Sequence, residues 1–263
     1  MTTIWQSSSN KRKARKQHGR QQKSLFSRIE YVQDKLDSTW LHSCTQILKS
    51  CFDNRMLELS GNARQENEGQ KYTVTCLGLG SPETSDNARA QLAFLLKTCD
   101  CFNIQNYTKI SIYDPVFTEE DKLLFVQLGI CVMDPRETHQ FNATVEEPTI
   151  LYMPHCDLAL YEDVLTANWS LERLGNILFI CNHFDDYIQK LVCGSPCPPL
   201  SSSHFALVTV APHITSLPLP PSPDWPGAFN NISAQFMSKN KLDTGWLKKE
   251  PEGKERSTCK PQS

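Results

Sequence analysis

The sequence predicts an α/β protein with a Rossmann-like open, mostly parallel sheet and flanking helices, joined to an N-terminal helical segment and to disordered ends. Two observations lead to this prediction. Short apolar runs alternate with helical stretches over residues 72–191, a rhythm that produces parallel strands joined by right-handed crossovers. Four of these runs also end abruptly in small or polar residues, as expected where strand ends form a ligand crevice.

The segment before the sheet is predicted to be helical. From Leu25 to Cys51, apolar residues recur every three or four positions with no Pro or Gly between them, and a break is allowed near residues 37–39. The apolar positions drift from strict heptads, so we expect packing against the following domain rather than a coiled-coil seam. The polar, Gly-containing residues 60–71 predict a linker.

The strand–helix units then follow in order. After the first strand, Gly78 and Gly80 form a turn, and a helix is expected to start at Ser81 with a hydroxyl cap and a proline at its first position. After the second strand, Thr118 and three acidic residues predict a helix that ends at Gly129. Strands are predicted at residues 73–77, 110–113, 130–133, 149–152 and 177–181, and further helices at about 158–168 and 184–191.

The predicted organisation has five segments. They are a disordered basic tail (1–23), an N-terminal helical segment with its linker (24–71), the α/β domain (72–191), a Pro/Ser-rich and partly ordered extension (192–238), and a disordered tail (239–263). Nine of the 16 prolines lie between Pro196 and Pro226, which disfavours regular structure there. The exception is Phe205–Val210, an apolar run that is expected to pair as a sixth strand.

Composition excludes several classes of protein. Residues 1–23 hold seven of the 27 basic residues and no acidic one. Residues 24–263 therefore carry 20 basic and 29 acidic side chains, a net charge of −9. An acidic body does not suit a nucleic-acid surface, and loose contact through the basic tail is the most that we expect. No apolar stretch reaches the about 18 residues of a membrane helix, so no membrane partner is expected.

Cysteine usage indicates reduced thiols. The chain has 11 cysteines, and Cys76 and Cys131 lie inside apolar runs, as small buried apolar side chains do. The odd count and the polar, basic amino terminus, which is unlike a secretory signal, favour a cytoplasmic or nuclear compartment.

The strand ends define a candidate ligand site. Parallel strands bring their carboxyl ends to one edge of the sheet, where separate loops can share a ligand. The candidate ligand-binding residues are Gly78, Gly80, Ser81, Arg89, Asp114, His155, Cys156 and Asn182.

The glycine turn is an incomplete dinucleotide motif. The fingerprint G-x-G-x-x-G requires a third glycine, but Glu83 occupies that position, and Asp114 lies 34 residues beyond Gly80. The Gly78–Gly80 turn can therefore be interpreted either as a purely structural turn or as a site for an anion or a nucleotide. Likewise, Asp114 could lock a turn with Arg89 capping a buried carboxylate, or both could contact a ligand with His155.

No catalytic residue and no metal site is predicted. Adjacent side chains such as His155 and Cys156 rarely point together, and the better-placed pair of Cys156 and His183 lacks an orienting third group. The short Cys spacings at 99–101 and 193–197 lack the partner pairs of a zinc site. Cys197 before a proline is a weak signal for a haem thiolate.

Spaced motifs at the strand ends resemble the sensitivity-to-red-light-reduced-like (SRR-like) family. They are Gly78-Leu79-Gly80-Ser81 with Ala88-Arg89 and Gln91-Leu92, residues 113–118, residues 153–156 with Leu160-Tyr161, residues 167–169, and Asn182 with Phe184 and Tyr187. The resemblance covers about residues 72–191 and resumes at 228–233. Cys181 and His183 stand where the family more often has Gly and Ser, and residues 192–226 also look unlike the family.

The resemblance implies a regulatory protein tied to circadian rhythm, with control of haem biosynthesis in the animal branch. It implies a cytoplasmic location and leaves a nuclear one open. From the residues at the strand ends, we expect the protein to act through a small ligand or an unidentified protein partner bound there. It implies no established reaction, so the prediction leans away from an enzyme. The alternative is a Rossmann-like, methyltransferase-like enzyme, although the glycine turn lacks the acid that usually precedes it there. Haem and a nucleoside cofactor both stay open.

Overall fold

A computed structural model of the protein describes residues 23–60, 72–102, 104, 107–134, 145–193, 205–237 and 247. The tails predicted at 1–23 and 239–263 and most of the predicted linker fall almost wholly outside these ranges. Among the helices within them, none combines the length and the apolar character needed to cross a membrane.

The described strands form one seven-stranded sheet. In spatial order they are β3 (Cys131–Val132), β2 (Ile110–Tyr113), β1 (Thr73–Leu77), β4 (Thr149–Met153), β5 (Ile177–Asn182), β7 (Ile232–Met237) and β6 (Ile214–Pro218). The first five pair in parallel, whereas β7 runs antiparallel to both β5 and β6. This arrangement confirms the predicted α/β fold with a mostly parallel sheet.

Helices cover both faces of the sheet. They are α1 (Leu25–Lys35), α2 (Ser38–Ser60), α3 (Asp86–Cys101), α4 (Glu119–Leu128), α5 (Leu158–Ala167), α6 (Leu171–Gly175), α7 (Phe184–Cys193), α8 (Phe205–Val210) and α9 (Pro226–Phe229). Alternate strand residues feed two separate apolar clusters, one beneath α1–α4 and α9 and the other beneath α5–α8. Because both faces are covered, every residue of β4 and β5 is buried.

The N-terminal helices are an integral part of the first cluster. The predicted break is confirmed, since α1 ends at Lys35 and Asp37 Oδ1 accepts a hydrogen bond from Trp40 N at 2.6 Å near the start of α2. Trp40 lies 4.8 Å from Phe229, between ring centroids, and its Nε1 donates to Pro220 O at 2.7 Å. The predicted packing of this segment against the domain is therefore confirmed.

The predicted signals around α4 are confirmed. Thr118 Oγ1 accepts from Asp121 N at 3.1 Å, and Asp121 Oδ2 accepts from Thr118 N at 3.0 Å, which completes a capping box. Gly129 ends the helix in the left-handed conformation with φ 75°.

The predicted start of α3 at Ser81 is wrong. Residues 81–84 form a separate turn, and the helix begins at Asp86, where Ser85 Oγ accepts from Ala88 N at 3.2 Å. Glu83 N donates to Asp121 Oδ1 on α4 at 2.7 Å instead of entering a helix. A hydrogen bond from a distant helix therefore outweighs the local capping signal.

The prediction of a strand at Phe205–Val210 is also wrong, since these residues form α8. Glu162 on α5 accepts hydrogen bonds from Ala206 N at 2.6 Å and from Leu207 N at 2.9 Å, which caps the helix. The expectation of little regular structure up to Pro226 fails as well, because β6 lies there. Its Pro218 is tolerated because β6 is an edge strand.

Candidate functional site

A crevice of about 860 Å³ opens at the carboxyl ends of β1, β2 and β4. Residues 77–80, 113–116 and 154–157, at the ends of these strands and in the loops that follow, line it. The start of α3, one side of α5, Gly227 and Asn230 complete the lining. Of the eight candidate residues, Gly78, Gly80, Asp114, His155 and Cys156 line this crevice.

The turn after β1 has a backbone conformation that favours glycine. Gly78 and Gly80 have φ +66° and +76°, in the left-handed region that favours glycine. A Cβ on Gly78 would also collide with the Cys156 Sγ atom. Gly78 N donates to Tyr113 O at 3.2 Å, which ties the turn to the end of β2. The turn therefore presents bare backbone to the crevice.

Asp114 joins two of the crevice loops. Its Oδ2 accepts from Gly80 N at 2.7 Å, and its Oδ1 accepts from Val116 N at 3.0 Å. The carboxylate therefore holds the β1 and β2 loops together. The predicted Asp114 turn is confirmed, but Arg89 does not cap this carboxylate. Each oxygen keeps a second lone pair for a ligand hydroxyl.

His155 is held by both ring nitrogens. Nε2 lies 3.1 Å from Ala228 O, which can only accept, and Nδ1 lies 3.2 Å from Asn182 Nδ2. These partners fit a neutral ring that carries its proton on Nε2. Partial burial of the ring lowers the pKa of His155, and the hydrogen bond to Ala228 opposes this only in part. Asn182 thus supports His155 from behind the crevice and also donates to Asn230 O at 3.3 Å.

Cys156 does not have the properties of a nucleophile. Its Sγ donates to Leu77 O at 3.3 Å, and burial raises the pKa of the thiol far above its ordinary value. Nδ1 of His183 lies 3.3 Å from Asp185 N and accepts from it. Cys156 and His183 are thus bonded to other groups, and the part of the chain that the structure describes shows no hydrogen bond through which His183 could activate the Cys156 thiol.

Thiol alkylation tests this assignment. We expect iodoacetamide at pH 7.5 to modify the exposed Cys101 and Cys131 at least tenfold faster than the buried Cys156 and Cys181, because the reactive species is an accessible thiolate. Peptide mass spectrometry over time measures each site, with urea-unfolded protein as the control. Early modification of Cys156 in the folded protein would contradict the assignment.

Ser81 and Arg89 lie outside the crevice. Both are buried, and they stabilise the turn at residues 81–84. Arg89 Nη1 donates to Pro82 O at 2.6 Å and to Glu83 O at 3.0 Å, and Arg89 pairs with Asp86. Arg28 on α1 adds a hydrogen bond to Glu83 O at 3.0 Å. The predicted charged cluster of Arg89, Asp114 and His155 is therefore not assembled.

Several lining residues are absent from the sequence prediction. Asp157 and Asp163 on the α5 side, Asn87 and Gln91 on α3, and Asn230 before β7 all border the crevice. Asp157 also caps α5 by accepting from Leu160 N at 2.8 Å. Asp157 could have been predicted from the sequence, because it comes just after the end of β4. Asp163 lies within α5, and nothing in its sequence position predicts a place in the lining.

The described residues include no group of three His, Cys, Asp or Glu side chains placed to hold a metal ion. Cys197, the candidate haem ligand, lies outside the described ranges.

Comparisons with known proteins show the family to which the chain belongs. The SRR1 domain model matches residues 32–236, which includes α2 and the strands β6 and β7. An SRR1-like protein of Drosophila melanogaster is 27% identical over 220 residues, 81% of this chain and 71% of that protein. An SRR1-like protein of Mus musculus is 33% identical over 117 residues, 44% of this chain and 46% of that protein.

A plant protein is also similar. The Arabidopsis thaliana protein SENSITIVITY TO RED LIGHT REDUCED 1 is 31% identical over 170 residues, 61% of this chain and 57% of that protein. The matches thus span about half the length of the mouse and plant relatives. No solved structure matches the chain. Because the domain model covers well over half of its residues, the chain belongs to the SRR1 domain family, as its spaced motifs predict.

Proposed function

We propose that this protein is a regulator of biological rhythms and of haem synthesis that acts in the cytoplasm and nucleus by holding a small ligand or a partner segment in the strand-end crevice. The name of the plant relative refers to a light response, and family membership supports a related regulatory role here. The observation that carries the proposal is the crevice itself, where loops from three strands meet around about 860 Å³ of open space.

The supporting geometry favours binding over a reaction. Cys156 and His155, the reactive residue types in the lining, are each committed to backbone carbonyls. Asp114 holds two loops together. These groups form a fixed frame, as a binding site requires.

Filling the crevice tests the proposal without removing any existing contact. Ala159 is exposed on α5 and lines the crevice, so Ala159→Trp should occlude it. Gln127→Trp, at an exposed position on α4 outside the lining, is the matched control. Both variants are introduced into cells that lack the protein, and the period of a rhythm reporter and the haem content are measured.

We expect Ala159→Trp to behave like the absence of the protein in at least one readout, and Gln127→Trp to restore both. Abundance and thermal unfolding of each variant exclude a folding defect. If Ala159→Trp is as stable as the control and restores both readouts, the crevice is not the working site and the proposal fails.

A further inference from the structure

The crevice lies at the point where the strand order of the sheet reverses. From β1 the chain builds outward through β2 and β3, and it then crosses to β4 and β5 on the other side. In doubly wound sheets with the order 3-2-1-4-5, nucleotides bind at this switch point. The antiparallel β7 lies between β5 and β6, on the far side of β4 from the crevice loops of β1 and β2.

Three features of the lining suit a nucleoside. The bare backbone of Gly78 and Gly80 allows close approach of a ligand. Asp114 follows β2 beside this turn, where an acid can accept hydrogen bonds from ribose hydroxyls. The apolar side chains of Leu160 and of the 58% exposed Val116 offer surface for a base.

The charge of the lining argues against phosphate. Asp114, Asp157 and Asp163 border the crevice, and the lining residues described include no Lys or Arg. Arg89 directs its guanidinium into the turn at residues 81–84 instead. The two partners of His155 fit a neutral ring, and burial lowers its pKa. Among the charged side chains of the lining, a phosphate or carboxylate group would therefore meet only like charges, whereas a cation would be attracted.

From these observations we infer that the crevice binds a phosphate-free nucleoside of neutral or positive charge, with an Asp114–ribose contact and with Asp157 and Asp163 facing its cationic end. This inference rests on the proposed role of the crevice and names the class of ligand. It disfavours the dinucleotides, nucleoside triphosphates and other polyanions that Rossmann-like sheets often bind.

Isothermal titration of the 263-residue chain tests the inference, with S-adenosylmethionine, adenosine, NAD and ATP as probes. We expect saturable binding of S-adenosylmethionine, at least about tenfold tighter than that of NAD or ATP at low salt. If S-adenosylmethionine binds more tightly than adenosine, the site prefers a cationic nucleoside. If the two bind equally, the ligand is a neutral nucleoside. Both results support the inference.

Variants locate the site. Asp163→Asn should weaken S-adenosylmethionine more than adenosine, since it removes only a charge, whereas Asp185→Asn on α7, outside the crevice, should change neither. Binding of ATP or NAD as tight as that of S-adenosylmethionine, or no binding of any nucleoside, would overturn the inference. In that case the proposed function still stands if Ala159→Trp abolishes the cellular readouts, so the two failures can be told apart.

Discussion

Replacing Gly78 with alanine is expected to destabilise the protein by about 2–5 kcal/mol, which combines about 1–3 kcal/mol for overpacking with about 1–2 kcal/mol for the left-handed backbone. The new Cβ meets the Cys156 Sγ atom, and alanine does not favour a φ of +66°. Small domains have a total stability of about 5–15 kcal/mol, so the loss is large. Urea unfolding followed by circular dichroism measures it.

A double-mutant cycle separates the two causes. Cys156→Ala removes the Sγ atom, so the double variant Gly78→Ala/Cys156→Ala should be destabilised by less than the sum of the single changes. Gly175→Ala is the matched control, since a Cβ there meets no atom within 4 Å. A Gly78→Ala variant within about 0.5 kcal/mol of the wild type would show that the turn is not held as the structure has it.

Replacing Asp121 with alanine is expected to cost about 3–5 kcal/mol, because it removes two hydrogen bonds to a buried carboxylate. Asp121 is fully buried, and it accepts from Glu83 N at 2.7 Å and from Thr118 N at 3.0 Å. Burial and the charge of Arg28 lower the pKa of Arg89, and the negative charge of Asp121 opposes them. The free energy of unfolding, measured by urea titration, gives the cost.

Two companion variants make the result specific. Glu120→Ala removes an exposed acid from the same helical turn and should change the free energy of unfolding by less than about 0.5 kcal/mol. Asp121→Asn keeps one acceptor oxygen, so its loss of unfolding free energy should lie between those of Asp121→Ala and Glu120→Ala. If Asp121→Ala costs no more than Glu120→Ala, the carboxylate does not hold the turn at residues 81–84.

The predictable parts of the fold are those encoded by neighbouring residues. The start of α4 at Thr118 and its end at Gly129 depend on side chains within one helical turn, so the sequence pattern was sufficient. The helix at Phe205–Val210 could not be found in this way, because its cap is Glu162, a residue more than 40 positions earlier. Four of these six residues, Phe205, Val208, Thr209 and Val210, have high strand propensity, and the tertiary contact overrides it.

The site shows the same division. Gly78, Gly80, Asp114, His155 and Cys156 follow strands directly, so the rule for parallel sheets brought them to one edge and the structure agrees. Arg89 sits on a helix, where spacing alone does not give the direction of a long side chain, and hydrogen bonds to two backbone carbonyls direct it elsewhere. The lack of basic lining residues depends on which helix faces turn inward, and it is visible only in three dimensions.

The hydrogen bond from Trp40 to the carbonyl of Pro220 has a consequence for biosynthesis. The two residues are 180 positions apart, and ribosomes add about 5–20 residues each second. Synthesis of Pro220 therefore follows that of Trp40 by about 10–40 s. During that interval the apolar faces of the first two helices lack part of their cover, and the nascent chain is exposed to chaperones. A shortened transcript that stops before Ile232 would also leave β5 without a neighbour on one side, open to pairing with other chains.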